Sequence, residues 1–97
     1  MLAGAVADEV LRGIQGDLID EPARGRLVPG LGGIQKARFG NPSRGKGKRG
    51  GYRYFYLYLG HRQHIHLLLL LDKDEQEDLT SEERASVRAM VTAIKQV

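Results

Sequence analysis

The sequence predicts an α+β fold, a small antiparallel β-sheet with helices packed on one face and one helix towards each end of the chain. Three observations predict it. Apolar residues recur at helical spacing over residues 8–20. Two apolar runs, 52–59 and 65–71, flank a short polar turn and read as a β-hairpin. Thr80-Ser81-Glu82-Glu83 has the form of a capping box and opens a second helical pattern. Ninety-seven residues make a single domain, 1–97, with one modest core.

In the first helix Val10, Leu11, Ile14, Leu18 and Ile19 supply the apolar stripe. Gly13 and Gly16 weaken it by roughly 1 kcal/mol each relative to Ala. Pro22 and Gly25 end it. Pro29-Gly30 and Gly32-Gly33 mark turns. Residues 34–39 form a short strand in which Lys36 and Arg38, two apart, share a face. Residues 41–51 form a loop, 52–59 an aromatic strand, 60–63 a turn and 65–71 the returning strand. Five consecutive leucines, 67–71, imply a strand covered on both faces and therefore central in the sheet. In the last helix Thr80 and Glu83 satisfy free N–H groups reciprocally, and Val87, Met90, Val91, Ile94 and Val97 form the core-facing stripe.

Composition removes several function classes. The absence of cysteine excludes disulfides, thiolate zinc sites and a cysteine nucleophile, and it fits a cytoplasmic location. The first residues lack a basic n-region, and Asp8 and Glu9 interrupt any apolar h-region, so a signal peptide is not expected. The longest apolar run is too short to span a bilayer, so no membrane partner is expected. His61, His64 and His66 gather near the hairpin turn. Without a neighbouring carboxylate or cysteine, packed or solvated imidazoles are the better reading than a metal site.

Charge carries the functional signal. The net charge of +3 hides a partition. Five acids lie in residues 8–21 and seven in residues 72–83; residues 22–71 contain none and hold ten Lys or Arg. Such a block projects positive potential, and its natural partners are phosphates. Its densest part, RGKGKRGGYR at 44–53, combines five cations with four glycines. Gly45, Gly47 and Gly50 satisfy G-x-G-x-x-G, but a strand rather than a helix follows, so the dinucleotide mechanism is absent and no cofactor is expected. A solvated basic loop is the bland reading. Nucleic acid is preferred because the charge continues into the strands at Lys36, Arg38 and Arg53. With helices on one face, the other is left for an RNA backbone, and Tyr52, Tyr54, Tyr56 and Tyr58 would either stack bases or pack an amphipathic face.

Three segments in order, GLGGIQKARF (30–39), GKGKRGGYRYFYLYL (45–59) and LLDKDEQEDLTSEER (70–84), resemble the RelE/HigB superfamily of type II toxin–antitoxin toxins, in its HigB-like branch. The resemblance runs from about residue 8 to the end. It implies a ribosome-dependent mRNA endonuclease that inhibits translation and is silenced by a cognate antitoxin, often a helix-turn-helix protein. It also implies cleavage by attack of the ribose 2′-OH without metal or cofactor. On that resemblance Lys36, Arg38, Arg53 and Lys73 are the catalytic candidates. Arg53 would hold the phosphate, Lys36 or Arg38 would stabilise transition-state charge, and Lys36 or Lys73 would move protons. Arg44, Lys46, Lys48 and Arg49 would bind RNA without doing chemistry.

The chain departs from the branch at three places. Leu71 stands where a tyrosine is usual, Asp74 where an asparagine is usual, and the segment before residue 8 is shorter than the family's strand and helix. These departures keep a second reading open, a catalytically degenerate RNA- or partner-binding module on the same fold. A gyrase-poisoning relative is a weaker third.

Overall fold

The computed structural model describes residues 4–40, 51–60, 63–72, 76 and 78–96. Helix α1 (Gly4–Asp20) is followed by strands β1 (Arg26–Leu27), β2 (Gln35–Phe39), β3 (Tyr52–Leu59) and β4 (His64–Asp72), and then by helix α2 (Ser81–Lys95). All three strand pairs are antiparallel, in the order β1-β2-β3-β4. The α+β class, the antiparallel sheet and a helix at each end are as the sequence predicts.

β1 is an addition. Its two residues pair Arg26 with Lys36 and Leu27 with Gln35, and the Val28 N–H donates to the Ile34 carbonyl at 2.9 Å. The connection between β1 and β2 turns through Gly30, Gly32 and Gly33, all at positive φ, where a side chain would be strained.

The helices do not share a face of the sheet. Directly opposed residues of antiparallel strands point the same way, and successive residues point opposite ways. On β3, Phe55, Leu57 and Leu59 join Val87 and Val91 of α2 in one buried cluster, with Leu31, Ile34, Leu71 and Leu79. Tyr52, Tyr54 and Tyr56 join Val10, Ile14 and Leu18 of α1 in the other. The expectation of helices on one face is thereby corrected. β3 is apolar or aromatic at both odd and even positions, so each side needs its own cover. The three tyrosines are fully buried, so of the two readings of the row, packing holds for them and base stacking does not.

The leucine strand is also placed differently from expectation, since β4 is an edge strand. Both its faces are covered, by Leu68 and Leu69 packing towards α2 and by Ile65, Leu67 and Leu70 packing towards α1. Its outer edge has no strand partner among the described residues. Phe55 opposes Leu69 and Tyr56 opposes Leu67, which leaves Leu68 as a bulge without a partner on β3.

α2 begins as its sequence requires. The Thr80 hydroxyl accepts from the Glu83 N–H at 3.1 Å, and the Thr80 N–H donates to the Glu83 carboxylate at 2.8 Å. Gln76 adds a donor to the same carboxylate at 2.6 Å. At the other end Lys95 Nζ donates to the Gly32 carbonyl at 2.6 Å, tying α2 to the β1–β2 turn. Met90, expected in the apolar stripe, is exposed. No helix among the described residues is long and apolar enough to cross a membrane.

Candidate functional site

β2 carries Lys36 and Arg38 on one face by strand alternation. The register sets Arg26 of β1 opposite Lys36, and Arg53 of β3 opposite Arg38. Four cations from three strands therefore stand on the same face, the one that α2 covers further along. Lys36 is also opposite Phe55, a member of the α2-side core. α2 packs chiefly on β4, which leaves the β1–β2 end of this face to the cations.

A fifth cation arrives from the α1–β1 connection. The Gly25 N–H donates to the Tyr56 hydroxyl at 2.8 Å, and the Gln35 side chain donates to the Gly25 carbonyl at 2.9 Å. These bonds pull the chain off the line of β1 towards the α1 side. The approach is close enough that a Cβ on Gly25 would stand 2.8 Å from the Lys36 carbonyl oxygen. Arg24 follows, anchored to Asp17 of α1 at 3.6 Å. The result is a cleft of about 470 Å³ lined by Arg24, Arg26, Lys36, Ala37, Arg38 and Arg53.

Five cations and no carboxylate line this cleft among the described residues. A cleft lined by cations presents positive potential to a polyanion. Guanidinium groups suit phosphate because their forked donors match two oxygens at once. Lys36 is the one ammonium among the lining cations, and the other four are guanidinium groups. The arrangement can bind and neutralise a phosphodiester.

No protein-family model matches this chain.

Lys36, Arg38 and Arg53 are brought together as the sequence suggests. Lys73 and the loop cations Arg44, Lys46, Lys48 and Arg49 lie outside the described residues, as does Asp74. Sequence reasoning missed Arg24 and Arg26 as individual site residues. The available signal was their place within the acid-free block 22–71; what singles them out is the register of a two-residue strand and a side-chain hydrogen bond 31 positions away. Leu71 is the β3–β4 partner of Arg53 and is buried in the α2-side core. The position opposite Arg53 thus offers hydrocarbon and no hydroxyl. His64 and His66 face each other edge-on at 6.2 Å. His64 is opposite Leu59, six residues along β3 from Arg53, or roughly 20 Å. Among the described residues no three metal-ligating side chains come together.

Proposed function

We propose that this chain is an mRNA endonuclease of the toxin–antitoxin type, acting in the cytoplasm on messages held by the ribosome. The observation that carries the reading is the cleft of five cations without a carboxylate. The resemblance of residues 30–39, 45–59 and 70–84 to HigB-like toxins supplies the reaction class. In that reaction the ribose 2′ oxygen forms a bond to the adjacent phosphorus as the bond to the 5′ oxygen breaks. One proton leaves the 2′ hydroxyl and one joins the departing 5′ oxygen. Arg53 and Arg38, opposed across β2 and β3, would clamp the non-bridging oxygens and stabilise the charge that grows on them. Lys36 would serve in proton transfer, with Lys73 as the second candidate. Arg44, Lys46, Lys48 and Arg49 would hold the flanking backbone. A cognate antitoxin, of the helix-turn-helix kind, would silence the enzyme.

A second reading has its own support. Leu71 is buried beside Arg53 where the family would have a tyrosine, so one acid–base group is replaced by hydrocarbon. A binding module that holds RNA without cutting it would tolerate that change.

The deciding experiment is single-turnover cleavage of a ribosome-bound message by wild type, Arg53→Ala and Arg53→Lys, with a thermal melt of each. For an enzyme, Arg53→Ala should lower the rate about a hundredfold, roughly 3 kcal/mol, without loss of folding. Arg53→Lys should recover only part of it, because an ammonium cannot fork onto two oxygens. Equal rates for wild type and folded Arg53→Ala would remove Arg53 from the catalytic set. Binding without cleavage by wild type would establish the module.

A further inference from the structure

We infer that Tyr56 and Gln35, neither of which lines the cleft, are positioning residues for it: together they clamp Gly25 and thereby hold Arg24 and Arg26 where an RNA phosphate meets them. The inference rests on the reading of this cleft as the RNA phosphate site and deepens it. Arg24 and Arg26 sit on a short connection. β1 has two residues, and the backbone before it bonds locally, the Arg24 N–H donating to the Glu21 carbonyl at 3.1 Å. Gly25, between the two arginines, is held by side chains from two other strands. Its N–H donates to the Tyr56 hydroxyl at 2.8 Å, and its carbonyl accepts from the Gln35 side chain at 2.9 Å. The same Gln35 nitrogen reaches the Ala23 carbonyl at 3.5 Å, so the peptide groups on both sides of Arg24 are engaged.

The clamp is rigid because of where it is rooted. Tyr56 and Gln35 are directly opposed across β3 and β2, and strand alternation puts them on the α1 side, away from Lys36, Arg38 and Arg53. The Tyr56 ring is fully buried with Val10, Ile14 and Leu18, so its hydroxyl is a fixed point. Gly25 comes so close that a Cβ there would meet that hydroxyl at 2.9 Å. The neighbouring Tyr54 hydroxyl is equally buried and has no partner among the described residues, so a place in the tyrosine row does not by itself supply the contact. Arginine side chains and the backbone that carries them lose freedom when they hold a ligand. A backbone fixed beforehand leaves less to be lost, and affinity rises without any new contact to the ligand. A core tyrosine thus sets how well two of the five cleft cations work.

The test is a double-mutant cycle on the whole protein, read with a short single-stranded RNA made uncleavable by 2′-O-methyl groups. Tyr56→Phe keeps the ring and removes the hydroxyl. A thermal melt checks that it folds, and Gln35→Met, which releases Gly25 from the other side, serves in its place if it does not. Either variant should weaken RNA binding by roughly three- to tenfold in a protein that keeps Arg24 and Arg26. In a background carrying both Arg24→Ala and Arg26→Ala, the same change should weaken it by less than about twofold. The side-chain Nε–H signals of Arg24 and Arg26 should shift on RNA addition in wild type and much less in Tyr56→Phe, while those of Arg38 and Arg53 respond in both. Wild-type affinity in folded Tyr56→Phe would overturn the inference. An equal loss in both backgrounds would overturn it as well, since the tyrosine would then support the sheet in general. If wild type binds no RNA, the RNA reading falls and the cycle is read with inorganic tripolyphosphate. The same non-additivity there keeps the clamp, and additivity or no binding removes it.

Discussion

Tyr54 shows how a single atom can be at odds with a well-packed interior. Its ring is fully buried between α1 and the sheet, 5.7 Å from the ring of Tyr56. Its hydroxyl is enclosed without a hydrogen-bond partner among the described residues. Burial, with a smaller opposing effect from Arg24 and a reinforcing one from Asp17, pushes its pKa up to about 12. Tyr56 is also shifted upward by burial, against the hydrogen bond from Gly25. The sign follows from which state keeps the proton. Below the ordinary tyrosine range both folded and unfolded chains are protonated, and the contribution is fully present. Between about 10 and about 12 the unfolded chain releases the proton while the folded chain holds it, so stability falls as pH rises. Tyr54→Phe should therefore lose less stability than wild type between pH 10 and 12. At pH 7 it should match or exceed wild type, because the removed hydroxyl had lost its water and gained no partner. Urea unfolding of both proteins at pH 7 and pH 11 measures this, and parallel alkaline losses would assign the effect to another group. The tyrosine row was plain in the sequence. That its ring faces lie beneath α1 was not, because alternation fixes which residues share a face but not what covers it.

At the scale of elements, the two glycines of α1 look alike in sequence and differ in structure. A Cβ on Gly13 would run into the Phe39 ring, whereas one on Gly16 would meet nothing within 4 Å. Both substitutions gain the helical preference of alanine, about 1 kcal/mol. For Gly16→Ala nothing opposes the gain, and a higher melting temperature is expected. For Gly13→Ala the ring must swing out of the α1-side cluster, and overpacking of this kind costs about 1–3 kcal/mol, so a lower one is expected. A pair of thermal melts decides it, and a rise in both would mean that Phe39 moves aside freely. The helices and the hairpin were legible because their signals are local: periodicity, a capping box, a short turn. β1 was not, since two residues carry no period. The position of β4 was misread because a run of leucines reports cover above and below the sheet and says nothing about a neighbour in the plane.

The whole molecule is divided electrically. Its acids lie at 8–21 and 72–83 and its basic block between them, and the fold gathers five of the block's cations into one cleft. Lys36, Arg38 and Arg53 were legible as candidates through strand spacing and family resemblance. Their convergence with Arg24 and Arg26 was not, because it depends on long-range register. If the cleft is where a single-stranded nucleic acid binds, each phosphate neutralised there would add about −0.7 to the slope of log affinity against log salt. Each of Arg26→Ala and Arg38→Ala should flatten the slope by about 0.7. Fluorescence titrations over a range of potassium concentrations would show it. An unchanged slope in both variants would move the binding surface elsewhere on the chain.

The outer margin of β4, which has no strand partner among the described residues, bears on how the protein behaves in a crowded solution. A nine-residue strand with five successive leucines and no proline or lysine has the makeup of an aggregation-prone segment. The offset at Leu68 is what interrupts it, since a bulge twists an edge away from a second copy. Self-association through this margin would make the lifetime of concentrated stocks fall with concentration while the melting temperature of fresh protein stayed the same. Leu68→Lys places a charge at the offset and should lengthen the lag before thioflavin-positive aggregates form. An unchanged lag in a folded variant would place the nucleus of aggregation in another segment.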